Sequence, residues 1–144
     1  MPQTTITDVR TVAINVRDQD QALGFYVDTL GFEKRLDAPF SPTMRWVEVA
    51  PPGAATSVAL VASDPDGGTG QPHPDQPHTD QPGTDQPGTD TGIRFTVPDA
   101  TVEHARMREV GIVVSNVMRW EGVPPMYTVD DLDGNRFYIV EEIR

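Results

Sequence analysis

The chain has no cysteine, so it forms no disulfide and offers no thiolate to a metal ion. It has no apolar run near the ~20 residues that a membrane-crossing helix needs. Its opening, MPQTTITDVR, lacks the basic-then-apolar pattern of a secretory signal. These absences set the expectation of a cytoplasmic protein that is not inserted in a membrane. Basic residues are scarce as well: 11 Lys and Arg stand against 22 Asp and Glu, a formal net charge of −11. Such a chain repels nucleic acid and anionic lipid, so neither is an expected partner. An acidic body suits a cationic ligand, but solubility alone accounts for the charge.

One tract has almost nothing apolar to bury. From Gln71 to Asp90 the pentapeptides QPHPD, QPHTD, QPGTD and QPGTD follow one another, within a low-complexity stretch spanning 63–90. Pro and Gly recur, and burial cannot offset the entropy of ordering such a segment. It reads as a solvated linker that carries four of the acids: Asp75, Asp80, Asp85 and Asp90. Loose divalent-ion binding by His73 and His78 is the less favoured reading, because a linker holds no fixed ligand geometry.

What is present on either side of that tract is a duplication. TVAINVRDQDQALGFYVDTLG, Thr11 to Gly31, reads as a strand, a helix capped by Asp18 and a closing glycine. GIRFTVPDATVEHARMREVG, Gly92 to Gly111, repeats the order, with Asp99 in the place of Asp18 and Gly111 in the place of Gly31. A β-rich tail follows each copy. An internal repeat sets the architecture: one α+β domain over 1–144, with a first βαβββ module at 9–62 and a second at 91–144. Alternation in the first strand sends Val12, Ile14 and Val16 to the helix and Thr11, Ala13 and Asn15 to the other face. Phe32–Leu36, Met44–Val49, Ser57–Ala62, Ile112–Val117, Met126–Val129 and Arg136–Glu141 read as further strands. Arg119–Pro125 reads as a loop carrying Trp120. His104 reads as a solvent-facing helix residue rather than a catalytic one.

The segments VAINVRDQDQALGFYVDTLGFEK and DDLDGNRFYIVEE resemble the opening and the last hairpin of the vicinal oxygen chelate superfamily. That group includes glyoxalase I, extradiol dioxygenases and bleomycin-resistance proteins. Leu132 stands where the family's Asp-Pro-Asp-Gly-Asn turn has proline. The resemblance implies a curved mixed sheet with a concave ligand cavity, helices on the outside, and a homodimer. It also implies four metal-ligand positions, usually His or Glu, which fall here on Thr11, Ala59, Gly92 and Tyr138. A hydroxyl, a methyl, a hydrogen and a neutral phenol cannot hold a hard divalent ion. No metal and no other cofactor is therefore expected.

The ligand-facing candidates are Thr11, Asn15, Trp46, Ser57, Ala59, Gly92, Arg94, Trp120, Met126, Tyr127 and Tyr138. Ala13, Thr96 and Arg136 belong to the same alternating set, and Glu48 is a further candidate for closing the mouth. For Arg94 a ligand contact and a plain ion pair are equally good readings; for Arg136 the ion pair is preferred. Two functions fit. One is a metal-independent binder of a small organic molecule, such as a drug or an aromatic metabolite. The other is a lyase, isomerase or dioxygenase relative that works through Tyr138 and Arg94 or through a non-standard metal site.

Overall fold

The computed structural model describes residues 3–63 and 88–143. His73, His78 and most of the repeat tract lie outside the described residues. The first unit runs β1 (Thr11–Val16), α1 (Gln19–Leu23), β2 (Glu33–Pro39), β3 (Arg45–Ala50) and β4 (Ser57–Ala62). The second runs β5 (Asp90–Val97), α2 (Ala100–Glu109), β6 (Val113–Val114), β7 (Met118–Trp120), β8 (Val123–Asp130) and β9 (Arg136–Glu141).

The two sheets repeat one topology. The first has the order β1-β4-β3-β2, with β1 parallel to β4; the second has β5-β9-β8-β6, with β5 parallel to β9. The architecture is α+β. In each unit the helix crosses from the first strand to an antiparallel run and lies on one face of its sheet. Asp18 and Asp99 cap the helices as the sequence predicts, accepting from the backbone N–H of Gln21 and Val102 at 3.0 Å.

Local departures have physical causes. The first helix widens into a π-helix over Gly24–Thr29, with Leu30 N–H donating to the Phe25 carbonyl. The wider turn lets the adjacent Phe25 and Tyr26 both bury. The expected loop at Arg119–Pro125 is instead a hairpin, β7 against β8, turned at Glu121–Gly122. The strand expected over Ile112–Val117 shortens to Val113–Val114.

The helix-side faces make one core. Val16, Tyr26, Val47, Val49 and Leu60 of the first unit join Tyr127, Val129 and Phe137 of the second. The aromatic rings of Tyr26 and Phe137 meet edge to face at 5.9 Å, and those of Phe32 and Phe95 at 5.3 Å. The two units are thus packed together within one chain. Among the described residues no helix is long and apolar enough to cross a membrane.

Candidate functional site

The helix-free face of the first sheet is built from alternate residues of β1, β4 and β3. Thr11 pairs with Ser57, and Ala13 with Ala59, across the parallel ladder; Glu48 lies opposite Ala59 across the antiparallel one. Ser57 is the hub. Its hydroxyl lies 2.8 Å from the Thr11 hydroxyl and donates to Glu48 Oε1 at 2.8 Å. Glu48 Oε2 accepts from Trp46 Nε1 at 2.8 Å and from Arg10 Nη2 at 3.1 Å. Glu48 is 4 % exposed. Burial pushes its pKa up, but the hydrogen bonds from Trp46, Ser57 and Arg10 outweigh burial and hold the carboxyl below its ordinary value. It is therefore an ionised carboxylate set into a β-sheet.

The corresponding face of the second sheet carries Arg94, Tyr138, Thr128 and Met126. Arg94 pairs with Tyr138, Tyr138 with Thr128, and Met126 with Val140. The Arg94 guanidinium sits 4.6 Å from the Tyr138 ring centroid and donates to the Gly92 carbonyl at 2.7 Å. The Tyr138 hydroxyl donates to Asp90 at 3.3 Å. Trp120 is exposed on the β7–β8 hairpin, away from the Arg94–Tyr138 pair in the ladder. Arg136 is engaged by Asp130 through two hydrogen bonds, at 2.9 and 3.2 Å. It is an ion-pair residue, as preferred from the sequence.

Gly92 is not a flat strand position. The β5–β9 register slips between Asp90 and Arg94, and Gly92 has φ +73° at the slip. Thr91 Oγ1 donates to the Arg136 carbonyl and accepts from Ile93 N–H, and the Asp90 carboxylate accepts from Gly92 N–H. The backbone is bulged where the first unit continues its ladder straight through Thr11.

Between the two units lies a cavity of about 400 Å³. Ser57, Thr56 and Val12 line one side; Ile93, Arg94 and Thr96 line the other. Of the predicted residues, the cavity brings Ser57 and Arg94 together. Thr11, Trp46 and Ala59 gather around Ser57 and Glu48. Asn15 presents its backbone carbonyl to Asn135 Nδ2 at 2.8 Å.

Tyr127 is a correction. It does not face a mouth; it is fully buried on the helix side, its hydroxyl 3.2 Å from Met107 Sδ. Its neighbour Met126 takes the open face, because successive strand residues alternate. His104 is a second correction. It is partly buried, with Nε2 2.7 Å from the Ser115 carbonyl and its ring edge-on to Tyr127 at 4.9 Å.

Sequence reasoning missed Arg10 and the role of Asp90. Arg10 directly precedes β1, but its tie to Glu48 spans 38 positions and depends on the β1–β4–β3 register. Asp90 read as part of the repeat tract, yet it opens β5.

The four positions where the resemblance implies metal donors do not fit a divalent ion. Thr11 is tied to Ser57, Ala59 ends in a methyl that is fully buried, Gly92 has no side chain, and the Tyr138 phenol lies under a guanidinium. Among the described residues no group of three or more His, Cys, Asp or Glu is arranged to hold a metal.

Comparison with known proteins agrees with this architecture. A member of the glyoxalase/bleomycin resistance protein/dioxygenase superfamily from Sphaerobacter thermophilus is 35% identical, with a TM-score of 0.78 over 95% of this chain and 98% of that one. TnmS3, an antibiotic binding protein from Streptomyces sp. CB03234, is 28% identical, with a TM-score of 0.76 over 98% of this chain and all of that one. The uncharacterized protein YetH of Bacillus subtilis is 40% identical over 55 residues, 38% of this chain and 46% of YetH, so the match spans about half that relative's length. Residues 9–139 match the family described as Glyoxalase/Bleomycin resistance protein/Dioxygenase superfamily, and the chain belongs to it.

Proposed function

We propose that this protein binds a small organic molecule on the helix-free faces of its two sheets and does so without a metal ion. The observation that carries this reading is the donor set: Thr11, Ala59, Gly92 and Tyr138 supply neither imidazole nor carboxylate. Around those positions stand groups suited to an organic guest. The cavity of about 400 Å³ at the seam sets Val12, Val58, Ile93 and Phe95 beside Ser57 and Arg94, an apolar lining with a few polar groups, and Arg94 in turn stacks on the Tyr138 phenol. The similarity to an antibiotic binding protein over the whole chain supports the same reading. The ligand class is a drug-like molecule or an aromatic metabolite, and the assembly in which it is bound is a homodimer.

The enzymatic alternative has less support. Arg94 donates to the Gly92 carbonyl and the Tyr138 hydroxyl to Asp90, and neither contact adds a nucleophile to the pair.

The test is a thermal-shift screen of aromatic metabolites, cationic glycopeptides and the chlorides of Ni²⁺, Mn²⁺ and Zn²⁺, with and without EDTA. An organic ligand at a hundredfold excess over its Kd should stabilise the fold by about 2.7 kcal/mol, and EDTA should leave that unchanged. Arg94→Ala and Tyr138→Ala should weaken it. Stabilisation by a metal ion alone, or turnover that EDTA abolishes, overturns the reading.

A further inference from the structure

We infer that Glu48 is the anchor for a cationic group on the ligand, and that Arg10 is the chain's own occupant of that position, displaced on binding. This rests on the helix-free face being the ligand site, and it narrows the ligand to a flat molecule bearing an amidinium, guanidinium or ammonium group.

The three partners of Glu48 are unequal. Trp46 and Ser57 are neutral donors held by β3 and β4 themselves. Arg10 supplies the charge, and its side chain is 74% exposed against 5% for Glu48. It belongs to the lead-in before β1, where every described residue from Gln3 to Arg10 is exposed and none is in a helix or strand. Its grip is a single contact through Nη2, onto the same Oε2 that Trp46 already uses. Arg136 shows what a committed guanidinium does in this chain: it takes both oxygens of Asp130. A carboxylate this buried demands a positive partner, since an uncompensated charge in such a place is costly. The demand is permanent and comes from the sheet. The partner that meets it comes from a solvent-facing segment: the Arg10 backbone is fixed to β4, its carbonyl accepting from Ser57 N–H at 3.0 Å, but its guanidinium reaches Glu48 through one hydrogen bond.

An organic cation at Glu48 takes the place of the Arg10 guanidinium: Ala59, opposite Glu48, and Ser57, bonded to it, are buried in the sheet with the carboxylate, and the exposed side chain beside it is that of Arg10. The indole of Trp46 is fixed against the same oxygen by its own N–H, so a group that binds Glu48 binds beside a fluorophore. The net charge of −11 raises the local concentration of any cationic ligand.

Benzamidine, with its amidinium on a flat ring, is the probe, and benzamide is its neutral counterpart. The Trp120→Phe background leaves Trp46 as the single tryptophan, adjacent to the site. Benzamidine should perturb Trp46 fluorescence saturably, and benzamide should not. Arg10→Ala removes the competing guanidinium at an exposed position and should tighten benzamidine binding about tenfold, the worth of one hydrogen bond to a charged group. Glu48→Gln, which keeps the shape, with its amide oxygen accepting from Trp46 Nε1 and its amide nitrogen donating to Ser57 Oγ, should abolish it. Equal response to the two probes, no response to benzamidine, or an Arg10→Ala affinity that is unchanged or weaker overturns the anchor. If aromatic metabolites still bind in an Arg94- and Tyr138-dependent way, the anchor alone has failed. Loss of both kinds of binding also removes the metal-free binder reading.

Discussion

Tyr26 shows how much of this molecule turns on single polar atoms in an apolar setting. The side chain is fully buried, and its hydroxyl donates to Asp131 Oδ2 at 2.7 Å. Burial first, and then the adjacent carboxylate, hold the phenol well above its ordinary pKa, so it remains a donor. Asp131 in turn accepts from the backbone N–H of Asp133 and Asn135 and from Asn135 Nδ2. Asn135 reaches back to the Asn15 carbonyl and accepts from Gly88 and Thr89 N–H. The two segments that carry the family resemblance are thus joined to each other: the first helix is tied through Asp131 and Asn135 to the first strand. That is a structural role, and it leaves the chemistry to other residues. Tyr26→Phe removes one partner of a buried carboxyl group and should cost about 1–3 kcal/mol in urea unfolding, with ligand affinity unchanged. A loss of affinity at constant stability would instead place Tyr26 in the site.

At the scale of elements, β5 departs most from its counterpart. β1 and β5 are the same strand of a duplicated unit, yet β1 pairs in unbroken register from Thr11 to Val16, while β5 slips around Gly92. The slip needs a residue at φ +73°, which a side chain disfavours by about 1–2 kcal/mol. Nothing lies within 4 Å of a Cβ added there, so the cost would be conformational and not steric. Gly92→Ala should therefore lower stability by about 1–2 kcal/mol, measured by chemical denaturation, and Gly92→Asn by less, since asparagine tolerates the left-handed region. Equal stability of the alanine variant would mean that the bulge relaxes to a straight ladder. The bulge also sets Arg94: its guanidinium is held by the Gly92 carbonyl at the apex.

For the whole molecule, the question is whether two repeated units behave as one. They share a core in which Tyr26 and Phe32 of the first touch Phe137 and Phe95 of the second, and Arg17 crosses to Asp133 at 3.1 Å. A fully shared core predicts a single cooperative transition. Each unit contains one tryptophan, Trp46 in the first and Trp120 in the second, so the prediction can be checked directly. Trp46→Phe and Trp120→Phe variants should show fluorescence midpoints that each coincide with the far-ultraviolet circular dichroism of the same variant. Two separated midpoints would show units that unfold independently.

Much of the architecture was legible in the chain because it is written in local signals. The Asp18 and Asp99 caps, the closing glycines and the period-2 runs each constrain a few neighbouring residues, and the duplication repeats them. Helix-side and open-face residues of β1 followed from alternation alone. Absence was legible too: no arrangement of Thr11, Ala59, Gly92 and Tyr138 turns them into imidazoles or carboxylates. Register was not legible. The bulge at Gly92, the burial of Tyr127 and the hairpin that carries Trp120 depend on which residue sits opposite which, and that is settled by packing across the whole sheet. The Arg10–Glu48 pair depends on it most, since three strands must align before a guanidinium at position 10 meets a carboxylate at position 48. Chemical identity is fixed residue by residue along the chain. Proximity between distant residues exists only once the core has closed, and the proposed ligand site is made of such proximities.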